Sequence, residues 1–175
     1  MTAVAYLPPL PDGSVRSLNE VYKGAVRPHP EFKALLDTQG TLESSHADLA
    51  LILLSEPTSP NFPPVKLADI EPNMGESLIL VGYGDDESGS SSGDERRFSK
   101  HRVTEPPGSD SERLVLERPT RLTHQDDSGG PCLRETGGPP TLTGISLRGL
   151  GQDSTCTSIH PYKAWLKEET LRNVP

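Results

Sequence analysis

Basic residues, long apolar runs and cysteines are all scarce in this chain, and each scarcity removes a class of function. Lysine and arginine number 17 against 25 aspartates and glutamates, a net charge of −8 over 175 residues. With no basic cluster to neutralise phosphates, the chain offers no footprint for nucleic acid or for an anionic membrane surface. Its longest apolar run, Leu49–Leu54, is far too short to span a bilayer. The opening MTAVAYLPPLPDG has no basic leader, and Pro8 and Pro9 interrupt its apolar stretch, so it does not read as a signal peptide. Only Cys132 and Cys156 are present. They could pair or stay free, but alone they cannot make a four-ligand zinc site. Hydrophobic residues reach 32%, low for a globular protein yet above the clearly disordered range.

Proline and glycine are plentiful instead, with 18 and 16 residues, which favours turns and short strands over long helices. One domain, or one and a small part, is expected from the length. Strands are expected at 3–7 and 21–27 around the turn PDGS, then a proline-punctuated corner, RPHPEF, and a polar loop. The run 49–54 has strand length and flanks that suit a fully buried strand. Residues 58–76 read as a linker, 76–84 as a strand and 85–97 as a solvated loop. Further strands are expected at 99–104, 112–117 and 141–149. The tail HPYKAWLKEETLRN is the one clear helix, with Tyr162, Trp165 and Leu166 on one face. Many short strands and one terminal helix make an all-β barrel or sandwich.

The stretch THQDDSGGPC, residues 123–132, carries the chemistry. A nucleophilic serine needs a tight turn, backbone N–H groups aimed at the developing oxyanion, and a base. Gly129 and Gly130 allow the turn and the close approach of a substrate, and the N–H groups of Ser128 and Asp126 can converge on one point. Asp-Ser-Gly-Gly is also an ordinary loop sequence, so a chance match on an unrelated β-sandwich is the competing reading.

QDDSGGPC resembles the nucleophile motif Gly-Asp-Ser-Gly-Gly-Pro of the chymotrypsin/trypsin serine protease family. HADLALILL resembles its Asp-Ile-Ala-Leu-Leu segment, LVGYG its Gly-Trp-Gly, GISLRG its substrate-pairing strand, and CTSIHPYKAWL its closing strand and helix. The matches follow the family's chain order. The resemblance implies a trypsin-like double β-barrel, its first barrel incomplete, with a C-terminal helix. Residues 1–57 would be the partial first barrel, 70–168 the second barrel and helix, and 169–175 a tail. It implies Asp48 as triad acid and Ser128 as nucleophile, with Asp126 and Ser128 at the oxyanion hole. Leu122, Gly149 and Ser154 would line the specificity pocket, and Asp127 would hold the family's buried structural aspartate. A Cys132–Cys156 disulfide is expected, because the family brings those strands close together. Activity on a protein or peptide substrate, no cofactor or metal, and a secreted or periplasmic setting are implied as well.

The base is missing from the match. Nothing before Asp48 resembles the family's Ala-Ala-His-Cys segment. His29 falls at a His-Pro corner taken as surface, His46 in a loop beside Asp48, His101 in a strand, His124 at the pocket rim and His160 at the helix start. Asp126 also replaces a glycine, placing a carboxylate beside the oxyanion position. Either the chain is a serine endopeptidase domain, inactive as an isolated chain, or it is a non-catalytic homologue that binds protein. A truncated product, a start placed too late and a degenerate homologue are all compatible with this pattern.

Overall fold

The structure, a computed structural model, describes residues 2–5, 20–40, 42–83, 96–108, 111–117, 128–135, 137–147 and 154–172. Its strands, in chain order, are β1 (Thr2–Ala5), β2 (Glu20–Pro28), β3 (Lys33–Leu36), β4 (Leu42–His46), β5 (Ala50–Leu54) and β6 (Lys66–Leu67). They continue with β7 (Ser77–Gly82), β8 (Arg97–Glu105), β9 (Arg113–Leu116), β10 (Pro131–Arg134), β11 (Thr141–Leu147) and β12 (Ser154–Ser158). A 3₁₀ turn, His160–Tyr162, leads into helix α1, Lys163–Leu171.

Strand alternation builds the second half. Leu78 and Leu80 of β7 point inward while Ile79 and Val81 point outward, so one strand serves two faces. The order β7-β8-β9-β12-β11-β10 returns to β7, closing a six-stranded barrel, with β6 added parallel to β11. Leu78, Leu80, Val103, Leu114, Leu116, Cys132 and Cys156 fill it, each at most 6% exposed. Closure leaves these strands no open edge against one another.

Cys132 and Cys156 form the expected disulfide inside the barrel. They lie on β10 and β12, which flank β11 rather than pairing with each other. In a flat sheet two strands so separated are about 9.6 Å apart, beyond a disulfide's reach of roughly 7 Å. Here the Cα atoms are 6.7 Å apart. The barrel's curvature accounts for part of the approach. Gly144 accounts for more, since a Cβ there would lie 2.8 Å from the Thr157 carbonyl and 3.1 Å from the Cys156 Cβ.

Among the described residues the first half does not close into a barrel. β1, β2 and β5 make a three-stranded antiparallel sheet, and β3 and β4 pair as a separate hairpin. Helix α1 ties this half to the barrel. Glu169, 4% exposed, accepts from Arg27 of β2 at 2.8 Å. Tyr162 and Leu166, with Ala47, Leu49 and Ile159, form a second core that Leu142 and Ile145 of β11 pack against.

Several expectations need correction. The run 49–54 is not fully buried. Leu49 is 8% exposed, but Ile52 is 38% exposed, because β5 has only β2 beside it among the described residues. The polar stretch after the corner is the β3–β4 hairpin rather than a loop, and His46 closes β4. The 58–76 stretch contains β6 and the buried Ala68. His29 is not a surface residue: it is 8% exposed, its ring edge-on to Tyr162 and Trp165 with centroids 4.8 Å from each. The expected solvated loop at 85–97 lies almost wholly outside the described residues, which resume just before β8.

Candidate active site

Ser128 begins the turn that enters β10, and its side chain is exposed. Gly129 has φ of +89°, a backbone state that costs an L-residue and suits glycine. Two hydrogen bonds fix this turn to β11: the Gly129 N–H donates to the Ser146 carbonyl at 2.8 Å, and the Ser146 N–H donates to the Gly130 carbonyl at 2.8 Å. Just beyond, the Thr143 hydroxyl donates to the Cys132 carbonyl at 2.8 Å. Ser128 is thus an exposed residue at the start of a turn clamped to β11, and exposure on a fixed turn is one of the things a nucleophile needs.

Asp48 sits half-buried between Ala47 and Leu49. The Leu49 N–H donates to the Ala47 carbonyl at 2.8 Å, making a tight bend around Asp48, and the His29 N–H donates to the Leu49 carbonyl at 3.0 Å. Ala47 is fully buried with φ of +49°, an uncommon state for alanine. Glu112 helps hold it there. Its carboxylate accepts the Ala47 N–H at 2.7 Å and lies 3.3 Å from His46 Nδ1. Arg113 reinforces the contact by donating to the Ser45 hydroxyl at 3.2 Å.

This network sets two acidities. Burial alone would raise the Glu112 carboxyl. Hydrogen bonds from its own amide and from Ala47, with His46 nearby, outweigh that and hold it below the ordinary carboxylate value. The Tyr162 hydroxyl shares this network and is pushed up to about 12, by burial first and then by the Glu112 charge.

One strand joins the two segments. Ile145 of β11 packs against the core containing Ala47 and Leu49, and its neighbour Ser146 clamps the Ser128 turn. No described residue hydrogen-bonds the Asp48 carboxylate or the Ser128 hydroxyl. Ser154, expected in the pocket wall, opens β12, 6% exposed, and its hydroxyl has no partner among the described residues. Leu122, His124, Asp126, Asp127 and Gly149 lie outside the described residues. Ser146, Glu112 and the Tyr162 hydroxyl were not singled out by sequence. GISLRG marked the strand of Ser146, but Glu112 is an ordinary acid at the start of an expected strand and gave no signal.

Each described imidazole is engaged elsewhere. His29 lies between two aromatic rings, and its Nδ1 accepts the Glu31 N–H at 3.2 Å. His46 faces Glu112. His101, 3% exposed, has Nε2 at 2.7 Å from the Ser99 hydroxyl. His160 Nδ1 is 3.6 Å from Glu71. Among the described residues no group of three or more His, Cys, Asp or Glu could hold a metal ion. No helix among them is long and apolar enough to cross a membrane.

Comparison with known proteins fits this geometry. The trypsin family model matches residues 19–166. Among solved structures, a scabies mite inactivated protease paralogue, S-I1, superposes with a TM-score of 0.65 at 17% identity, covering 87% of this chain and 69% of that one. At that identity the likeness speaks for the fold alone. A search of curated protein sequences returned no match. With the family match spanning most of the chain and the barrel architecture agreeing, the chain belongs to the trypsin family.

Proposed function

We propose that this chain is a serine endopeptidase domain by descent which, as it stands, holds extended polypeptide in its cleft without cleaving it efficiently. The observation that carries the reading is the engagement of all four described imidazoles, while Ser128 stays exposed on a clamped turn. In this reading Ser128 is the nucleophile by position, Asp48 the acid, and the amides of Asp126 and Ser128 the oxyanion donors. Residues 1–57 are the partial first barrel and 70–168 the second barrel with its helix.

A serine hydroxyl is a poor nucleophile until a base takes its proton, and loss of the histidine alone costs about 10⁶ in kcat. A carboxylate at Asp126 opposes charge building on the oxyanion, and spoiling one donor costs roughly 10²-fold more. Binding does not depend on the ring, because the GISLRG strand and the pocket are separate from it. Leu122 at the pocket base, with Gly149 and Ser154 as walls, favours small or apolar side chains over lysine or arginine. The buried disulfide and the family favour a secreted or periplasmic setting. The inactivated mite paralogue is a precedent for this fold without its chemistry.

The reading is tested by measuring binding and turnover on the same peptides. Labelled peptides with apolar side chains should bind saturably, with equal affinity for the chain and its Ser128→Ala variant, at a hydrolysis rate indistinguishable between the two. Turnover that disappears in Ser128→Ala would return the chain to the active enzymes.

A further inference from the structure

Strand β5 has one partner, β2, among the described residues, and its other side is an open edge. The register says which backbone groups that edge offers. The His29 N–H donates to the Leu49 carbonyl at 3.0 Å, and the Ser55 N–H donates to the Lys23 carbonyl at 2.9 Å. Those bonds bracket the ladder that runs from Pro28↔Ala50 to Gly24↔Leu54. In an antiparallel pair bonded residues alternate with unbonded ones, so Leu49, Leu51, Leu53 and Ser55 spend their groups on β2. Ala50, Ile52 and Leu54 turn their N–H and C=O groups to the open side. Pro28 fits this phase, because the N–H it lacks would face away from β5.

The edge carries none of the usual guards. Residues 50–54 include no charge, no proline and no glycine, and the register runs without a bulge. Its two faces differ. Leu51 packs against the core of Leu49 and Tyr162, and Leu53 follows it on the same face. Ala50 and Ile52 lie on the other face and are exposed. Asp48 and Glu56 stand at the two ends of the edge, both acidic.

We propose that β5 takes up an extended segment of a partner protein as a fourth strand, distinct from any peptide held beside Ser128. The open groups of Ala50, Ile52 and Leu54 call for a strand backbone, which alone matches their spacing. Leu51 and Leu53 call for apolar side chains at alternate positions of the incoming segment, on the core face. Charge chooses between a second copy and another chain. Two β5 edges paired antiparallel along their full length would be centred on Ile52. That register sets Asp48 of each copy against Glu56 of the other, like charges facing directly. A segment with lysine or arginine at both ends meets the same two acids with opposite charge.

The experiment titrates the whole chain into a fluorescent peptide, Lys-Thr-Thr-Ile-Thr-Ile-Thr-Val-Lys with blocked termini, and follows anisotropy. Antiparallel to β5, its central threonine falls opposite Ile52 and its isoleucines opposite Leu53 and Leu51. Binding should saturate at 1:1. N-methylation of the central threonine removes an N–H aimed at Ile52 and should weaken binding about tenfold or more. N-methylation of the next isoleucine, whose N–H points away from β5, should weaken it far less. Glu56→Lys should weaken binding severalfold, an effect that shrinks with added salt. Ile52→Pro removes an outward N–H and leaves the β2 ladder intact, so it should also weaken this peptide. It should bind the apolar peptides of the Ser128 cleft like the parent, so the two readings fail separately. Absence of saturable binding would overturn the proposal, as would equal loss in the two methylated peptides. So would a concentration-dependent dimer that Ile52→Pro dissociates, since the occupant would then be a second copy of the chain.

Discussion

Removing the Cys132–Cys156 bond should cost this barrel a large share of its stability. The bond spans a sequence separation of 24 residues, with both cysteines fully buried. In the chain-entropy model, releasing a loop of that size returns about 3.5 kcal/mol to the unfolded state. Replacing both residues by alanine also empties two sulfur positions in a close-packed core, adding about 1–2 kcal/mol of lost packing. The total, about 5 kcal/mol, compares with a whole-domain stability of roughly 5–15 kcal/mol. Cys132→Ala/Cys156→Ala should therefore sit near its unfolding midpoint in dilute urea. Equilibrium urea unfolding followed by Trp165 fluorescence reads the difference, with the slope checked for two-state behaviour. Reduction of the parent should recover most of the loss without any substitution. A shift below about 1 kcal/mol in both experiments would refute the reasoning, because the bond would then constrain nothing that the closed barrel does not.

Gly144→Ala should destabilise by about 1–3 kcal/mol in the same unfolding assay, since its Cβ would press on the Thr157 backbone rather than a movable side chain. Glu169→Ala should cost about 2 kcal/mol, read as a lowered urea midpoint, because it strands Arg27 and unties α1 from β2. Two pH dependences follow from the Glu112 network. Glu112 is depressed in the folded state, so its contribution is present above its unfolded value of 4.5 and lost as pH falls through the folded value. Glu112→Gln should therefore show a shallower loss of stability below pH 4.5 than the parent. Tyr162 is raised to about 12, so its contribution is complete below the unfolded value of 10.0 and lost as pH rises toward 12. Tyr162→Phe should flatten that alkaline limb of the stability curve.

The second barrel was legible because its strands write their roles locally. Leu78 and Leu80 alternate with Ile79 and Val81, and DSGGP announces a turn that only glycine fits well at Gly129. The first half was harder, for the same physical reason that it is open. The LALILL run reads as a buried strand because apolar residues normally find cover. How far a strand is covered depends on its neighbours, and β5 has β2 alone among the described residues. The β3–β4 hairpin escaped notice because its apolar residues are exposed, Leu35 at 57% and Leu36 at 55%, so burial leaves no clean period to read. His29 shows the limit of motif reading. His-Pro marks a corner, but only the fold places Tyr162 and Trp165, over 130 positions later in sequence, against its ring. Glu112 holds the backbone beside Asp48 from a different part of the chain, and such long-range pairings leave no trace in spacing.

The most direct test of the proposal that no imidazole serves Ser128 is chemical rescue by a free one. If Asp48 and Ser128 flank a space fit for an imidazole, free imidazole should do the ring's work. The 175-residue chain is exposed to a fluorophosphonate probe across a range of imidazole concentrations, beside Ser128→Ala and Asp48→Ala. Labelling should be near background without imidazole and rise in proportion to it. It should be absent in Ser128→Ala and much reduced in Asp48→Ala, because an unoriented ring is a poorer base. Stoichiometric labelling of Ser128 without imidazole would contradict the account, since some other group would then serve as base. An imidazole response identical in Asp48→Ala would contradict it too, since Asp48 would not belong to the site.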